Sequence, residues 1–326
     1  MLRSSLIQIL YPQVSGLLRR SLGNPESSST LDSKIALLDM ARTIEEVNTP
    51  RDCEVRSAQH ALSVIEDEYD FPVVVKQDLS GGGVGVWVCD NQKEVVSAFA
   101  ELRQNESDES LLHWLWKMYN LTPFMRDFDK RGNVSVQEFI DGDPYLHSFV
   151  ALNGRVLGGN TVRRELPYKG ANSPHCRYRA VEDNQMREAA KAIVEETGFS
   201  GFGCFDFMVD KKKEIPYLIE CNPFPTNVAH IGNILGDSLC VSLREGLFGA
   251  KSETSNHKTE IKNSENVAVL FPYEILRDAH SKQILSRPHD VPIDDPKLLE
   301  AMKDMFGISD SSIKHLGDSN TQGGTD

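Results

Sequence analysis

Glu220 and Asn222 stand two apart in a segment, Tyr217 to Asn222, that reads as a β-strand, so their side chains project from one face. Gly203 to Val209 reads as a second strand, and a charged turn around Lys211, Lys212 and Lys213 joins the two. A five-residue loop over 211–215 would pair position 210 with 216 and hence Asp206 with Glu220. A four-residue loop would set Asp206 against Ile219, across faces. In the first register two carboxylates and an amide meet, the hard oxygen ligands that magnesium takes when it also bridges nucleotide phosphates. Phe205, Phe207, Leu218 and Ile219 around them point to a buried sheet; the bland alternative is a solvated strand edge.

A second grouping is Lys76 followed by Gly81, Gly82, Gly83 and Gly85, between Phe71 to Lys76, a buried strand, and the alternating Val84, Val86 and Val88. Glycines let backbone N–H groups turn toward an anion, and a lysine closing the preceding strand adds a positive charge, so together they could hold phosphates. The loop lacks the Gly-Lys-Ser/Thr ending of a P-loop, and Val86 stands where the dinucleotide fingerprint needs its third glycine. The lysine precedes the glycines, the reverse of the protein-kinase order, and no His-Arg-Asp loop is present. A glycine-rich hairpin turn with a surface lysine is the competing reading.

Several elements must position these groups. A helix is expected from Ser33, with Ile35, Leu38 and Ala41 on one face, ending before Asn48-Thr49-Pro50. Asn91 and Glu94 read as the cap of a helix whose stripe is Val95, Ala98, Phe99 and Leu102, ending near Arg103 before a polar loop over 104–110. Leu111, Leu115 and Met118 recur at helical spacing beside Trp114 and Trp116, which read as packing residues. Val134, Val136 and Phe139 alternate into Gln137-Glu138-Phe139-Ile140-Asp141-Gly142, a strand ending in a glycine turn. Strands over 147–152 and 155–162 flank the hairpin dipeptide Asn153-Gly154, and Asp183 caps a helix closed by Gly198.

The 326 residues carry a formal charge of -13, too acidic to coat nucleic acid nonspecifically, and no nucleic-acid partner is expected. No run approaches the roughly 18 uncharged apolar residues of a membrane-spanning helix. Six cysteines without a CxxC pair argue against a disulfide framework or a structural zinc and fit a reducing compartment.

The order of these features resembles the ATP-grasp superfamily: Lys34 heading a helix, Lys76 before a glycine loop, Gln137 to Gly142, then Asp206 and Glu220-Cys221-Asn222-Pro223. The likeness covers about Ser33 to Gly249. It implies an α+β fold, two subdomains whose antiparallel sheets grip ATP, and phosphorylation of a carboxylate to an acyl phosphate that an amine or similar nucleophile attacks. By the same resemblance Lys34 and Lys76 would contact ATP phosphates, with Gly81, Gly82, Gly83 and Gly85 as a flap over them. Gln137, Glu138, Phe139 and Ile140 would form the adenine-binding hinge, and Asp143 is the nearest candidate for the ribose, with Tyr145 in the other register. Asp206, Glu220 and Asn222 would hold Mg2+ or Mn2+. Arg163, Arg164 and Asn227 lie where such enzymes contact substrate; adjacent strand residues cannot both face inward, and the sequence does not choose between the arginines.

Two departures qualify that reading. The family's frequent Asn-Pro-Arg is here Asn222-Pro223-Phe224, which removes a cation commonly placed beside the substrate. Only 32 residues precede Ser33, where such enzymes carry a further domain. Residues 1–32 are therefore expected to be the last helix and linker of a preceding domain, with a cytoplasmic location; a mitochondrial or plastid transit peptide is the alternative. The expected organisation continues with an ATP-grasp domain over 33–249, a polar linker over 250–266, an extension over 267–308 and a disordered tail over 309–326. The alternative function is an ATP-binding module that does not turn over alone. An oligomer is compatible with either.

Overall fold

Two antiparallel sheets and their covering helices make up the computed structural model, which describes residues 25–80, 85–108, 133–170, 173–235, 238–249 and 266–310. The expectations for residues 1–24, Gly81 to Gly83, the helix near Trp114, the polar linker up to 265 and the tail from 311 lie outside the described residues.

The chain enters through α1 (Pro25–Asp32) and α2 (Lys34–Ala41). Ser33 caps α2, its Oγ accepting from the Ala36 amide at 3.1 Å. The buried stripe of α2 is Leu37, Leu38 and Ala41, while Ile35 is only half-buried, one position away from the expected face.

The smaller sheet runs β1 (Asp52–Val55), β4 (Val134–Glu138), β2 (Val73–Gln77), β3 (Val86–Cys89) in spatial order. One face packs Val73, Val75, Val134 and Val136 under Ala61 and Ile65 of α3 (Ala58–Glu68) and Val95 and Phe99 of α4 (Gln92–Asp108). In β3 the core face belongs to Trp87 and Cys89, and the alternating Val86 and Val88 turn to the opposite face. The α4 cap is as expected, with Asn91 Oδ1 accepting from the Glu94 amide and Glu94 Oε2 from the Asp90 amide. The helix continues to Asp108, through the segment read as a loop, where Gln104 and Glu106 are good helix formers.

The larger sheet is built from β5 (Gly142–Leu152), β6 (Arg155–Pro167), β7 (His175–Val181), β8 (Gly201–Asp210), β9 (Pro216–Asn222) and β10 (Val267–Val269), in the order β10-β7-β6-β5-β8-β9. The β5–β6 turn has Asn153 and Gly154 both at positive φ, the conformation of the expected two-residue hairpin. Gly142 does not end a strand in a turn. It opens β5, so close to β8 that a Cβ would meet the Val209 carbonyl oxygen at 2.4 Å.

On one face of this sheet α2 and α5 (Asn184–Thr197) bury a core in which Phe149 stacks on Phe205 with centroids 4.8 Å apart. Asp183 and Gly198 terminate α5 as expected. On the other face Leu146, Val162, Tyr178 and Cys204 lie under Val228, Ile231, Ala268 and Leu270. Helices α6 (Ile231–Leu235) and α7 (Leu239–Phe248) follow β9, and α8 (Tyr273–Arg277), α9 (Gln283–Ser286) and α10 (Pro296–Phe306) complete a layer beyond β10.

Glu274 ties that layer down. Fully buried, it accepts from Arg177 Nη2 and Arg277 Nη2, both at 2.6 Å, and from the Ser281 hydroxyl. Burial alone would raise its pKa, but the bonds from Arg177, Arg277 and Ser281 outweigh it and hold the carboxyl at about 2. Glu274→Gln is expected to cost about 3 kcal/mol at pH 7, since it leaves two guanidinium groups without their carboxylate. A carboxylate whose folded pKa lies below its ordinary 4.5 contributes stability above that pH and loses it as pH falls toward 2. The denaturation midpoints of wild type and variant should therefore converge as pH falls from about 4.5 toward 2.

Candidate functional site

Val209, Met208 and Phe207 pair with Pro216, Tyr217 and Leu218, a register that by itself would oppose Asp206 to Ile219. An irregularity between Asp206 and Phe207 then shifts it by one, pairing Asp206 with Glu220 and Cys204 with Asn222. The expected pairing of 210 with 216 is thus wrong at the turn, where 209 takes that place, and right at the carboxylates. The bulge has a packing cause. Leu218 and Cys221, three apart, both enter the core beside Phe205 and Phe207, which strict alternation forbids.

Asn222 Nδ2 donates to Asp206 Oδ1 at 3.3 Å, so amide and carboxylate are in contact. Burial raises the Asp206 pKa, Arg164 opposes the rise and neighbouring Glu220 adds to it. Two carboxylates and an amide on one sheet face, with negative charge that burial disfavours, fit a divalent cation with oxygen ligands. Among the described residues no group of three or more His, Cys, Asp or Glu side chains gathers in a way that could hold a metal.

Arg163 and Arg164 separate as alternation requires. Arg164 Nη2 lies 2.6 Å from Asp206 Oδ2, while Arg163 turns to Asp143 at 3.8 Å and Glu165 at 3.3 Å. Arg164 pairs in register with Tyr178, whose hydroxyl burial pushes up to about 12 and which Asn227 hydrogen-bonds. Arg164 therefore joins the carboxylates, Asn227 meets Tyr178 beside it, and Arg163 turns away.

The lysines reach the same place from other elements. Lys76 on β2 is buried, opposite Val86 and Ser135. Burial lowers its pKa to about 8, Glu220 and Asp206 raise it and Lys34 lowers it, so one electrostatic neighbourhood spans both sheets. Lys34 Nζ sits 3.5 Å from Glu220 Oε2 and hydrogen-bonds the Ser80 carbonyl and hydroxyl. The glycine-rich segment is the β2–β3 connection, closed by the Gln77 amide donating to the Gly85 carbonyl at 2.8 Å. Gly85 needs to be glycine: φ is +73°, and a Cβ would lie 2.9 Å from that of Gln77.

Between the sheets runs the segment from Gln137 to Asp143. Gln137 and Ile140 are buried, Phe139 is exposed, and Asp143 is half-buried beside Arg163. Glu138 Oε2 is 3.3 Å from both the amide and Nε of Arg51, a partner that the sequence pattern did not suggest. Tyr178 and Asp78 were also missed; for Asp78 the signal was its place two residues beyond Lys76.

Two family models match the chain, one described as an ATP-grasp domain over residues 120–228 and the other as the ATP binding domain of the carbamoyl-phosphate synthase L chain over residues 32–112. These matches place residues 32–112 and 120–228 in the ATP-grasp superfamily. Its match to D-alanine–D-alanine ligase of Pseudomonas entomophila is 23% identical over 222 residues, 67% of this chain and 64% of that protein. Carbamoyl-phosphate synthase of Methanobrevibacter smithii is 23% identical over 186 residues, 56% of this chain and 45% of that protein. The chain thus spans less than two thirds of either relative. The ATP-grasp fold recurs in a biotin carboxylase from Campylobacter jejuni, solved as a β-γ-ATP complex, at a TM-score of 0.56, 17% identity and coverage of 78% of this chain and 54% of that one.

Lys76 gives a pH signature. An ammonium whose pKa is held near 8 loses its charge above that pH, and a polyphosphate that draws on the charge must bind more weakly there. MgATP affinity measured by titration calorimetry is expected to fall as pH rises from 7 to 9.5. Lys76→Arg, whose guanidinium stays charged, should flatten the profile.

Proposed function

We propose that this chain binds ATP with Mg2+ or Mn2+ between its two sheets and activates a carboxylate for attack by an amine or similar nucleophile. The observation that carries the reading is the meeting of Asp206 and Glu220 with Lys34, Lys76 and Arg164, groups delivered by both sheets and by α2. In this reading a substrate carboxylate oxygen attacks the γ-phosphorus, the bond to the β–γ bridging oxygen breaks, and ADP leaves. The nucleophile's nitrogen then attacks the acyl carbon, phosphate departs, and the nitrogen gives up a proton. The bound divalent cation supplies neutralisation of phosphate charge, and Asp206, Glu220 and Asn222 are the residues that would hold it.

The chain's own residues have separate tasks. Lys34 and Lys76 offset the charge of the transferring phosphoryl group, in a cleft where burial strengthens the interaction. Arg164, fixed by Asp206 and flanked by Tyr178, is the cation on the substrate side, with Asn227 beside it. Gln137, Glu138, Phe139, Ile140 and Asp143 are assigned to the nucleoside, and the β2–β3 loop to shielding the acyl phosphate from water.

A ligand that binds only the folded state raises stability, by about 2.7 kcal/mol at one hundred times its dissociation constant. Millimolar MgATP should raise the melting temperature by several degrees, and ATP with a chelator by much less. Glu220→Ala and Asn222→Ala should reduce the MgATP shift. An unaltered melting temperature of the wild-type chain in MgATP would contradict the reading.

A further inference from the structure

Asp78 stands where β2 leaves the smaller sheet, 2% exposed, and its own amide donates to the Asn133 carbonyl at 2.9 Å, anchoring it beside β4. Its carboxylate serves the other half of the molecule. Oδ1 accepts from the Lys34 backbone amide and Oδ2 from the Ser33 hydroxyl, each at 2.7 Å. Ser33 Oγ in turn accepts from the Ala36 amide, so the helix cap and the carboxylate form one chain of bonds. That helix, α2, is embedded by Leu37, Leu38 and Ala41 in the core of the larger sheet. One buried carboxylate therefore joins the rigid part of one sheet to the rigid part of the other, at the residue whose ammonium lies 3.5 Å from Glu220.

We infer that Asp78 is a positioning residue for the nucleotide site: it fixes the spacing of the two sheets at the phosphate end and aims Lys34 between Ser80 and Glu220. The chemistry suits a carboxylate. Both partners donate, and bonds to an ionised acceptor are about twice as strong as neutral ones. An amide at this position would present an N–H group to one of the two donors. Because Lys34 and Lys76 approach from different halves, a change in spacing alters both contacts to a bound polyphosphate together, which a defect in one lysine would not do. The inference rests on the ATP reading above.

The test is the MgATP dissociation constant of the full chain, by titration calorimetry, beside its nucleotide-free melting temperature. Asp78→Ala is expected to weaken MgATP at least tenfold and Asp78→Asn to give an intermediate value. Glu274→Gln, a buried change in the C-terminal layer, should lower the melting temperature yet leave the constant within twofold of wild type. Adding Ser33→Ala to Asp78→Asn should weaken binding by less than Ser33→Ala does in the wild-type chain, since the two groups share one chain of bonds; this arm decides the matter if Asp78→Ala fails to fold. Wild-type affinity in both Asp78 variants overturns the inference, as does an equal loss in Glu274→Gln, which would reduce the effect to general destabilisation. Absence of MgATP binding by the unaltered chain overturns the nucleotide reading itself.

Discussion

Taking a single charged side chain out of water costs several kcal/mol, and the cost is met when opposite charges are buried together. Lys34 and Lys76 are buried, and Arg164, Asp206 and Glu220 half-buried, at one place, three cations against two carboxylates. Each comes from a different element: α2, β2, β6, β8 and β9. No single sheet could deliver them. Four of the five stand on the larger sheet or on α2 packed against it, Lys76 joins them from the smaller sheet, and together they carry one net positive charge, which suits a polyanion.

The face of the larger sheet that carries the site is shared with the C-terminal layer. Tyr178 and Cys204 lie in a core completed by Ala268 and Leu270, so the strands carrying Arg164 and Asp206 rest on the C-terminal layer. Glu274 clamps that layer to β7 through Arg177, and Asp290 ties it to the segment after β9. Asp290 does so by accepting from the Phe271 amide and bonding His230 Nε2 at 2.9 Å. The loop bearing Asn227 thus lies between β9 and the C-terminal layer, and Asn227 hydrogen-bonds Tyr178.

Much of this was legible in the sequence, and the reason is local chemistry. The Asn153-Gly154 turn, the Asp183 and Gly198 caps and the Lys76-to-Gly85 hairpin are decided within a few residues. The carboxylate pair was legible only in outcome: the loop length would have misaligned it, and the bulge that restores it follows from packing Leu218 and Cys221 on one core face. The inward arginine could not be chosen, because two adjacent arginines on a strand look alike until Asp206 and Asp143 are placed on opposite sides. Strands β1 and β7 were missed for a related reason. Asp-Cys-Glu-Val and His-Cys-Arg-Tyr-Arg-Ala-Val are polar enough to read as loop and become strands through pairing with β4 and β6.

The central claim is that nucleotide bridges the two sheets. Hydrogen–deuterium exchange of the wild-type chain with and without MgATP tests it most directly, since bound ligand slows local opening where it makes contact. The account predicts slowed exchange at once in 73–80, 134–143 and 204–222, on both sheets, with α5 unchanged. Protection confined to one sheet, or found only outside these segments, would contradict it.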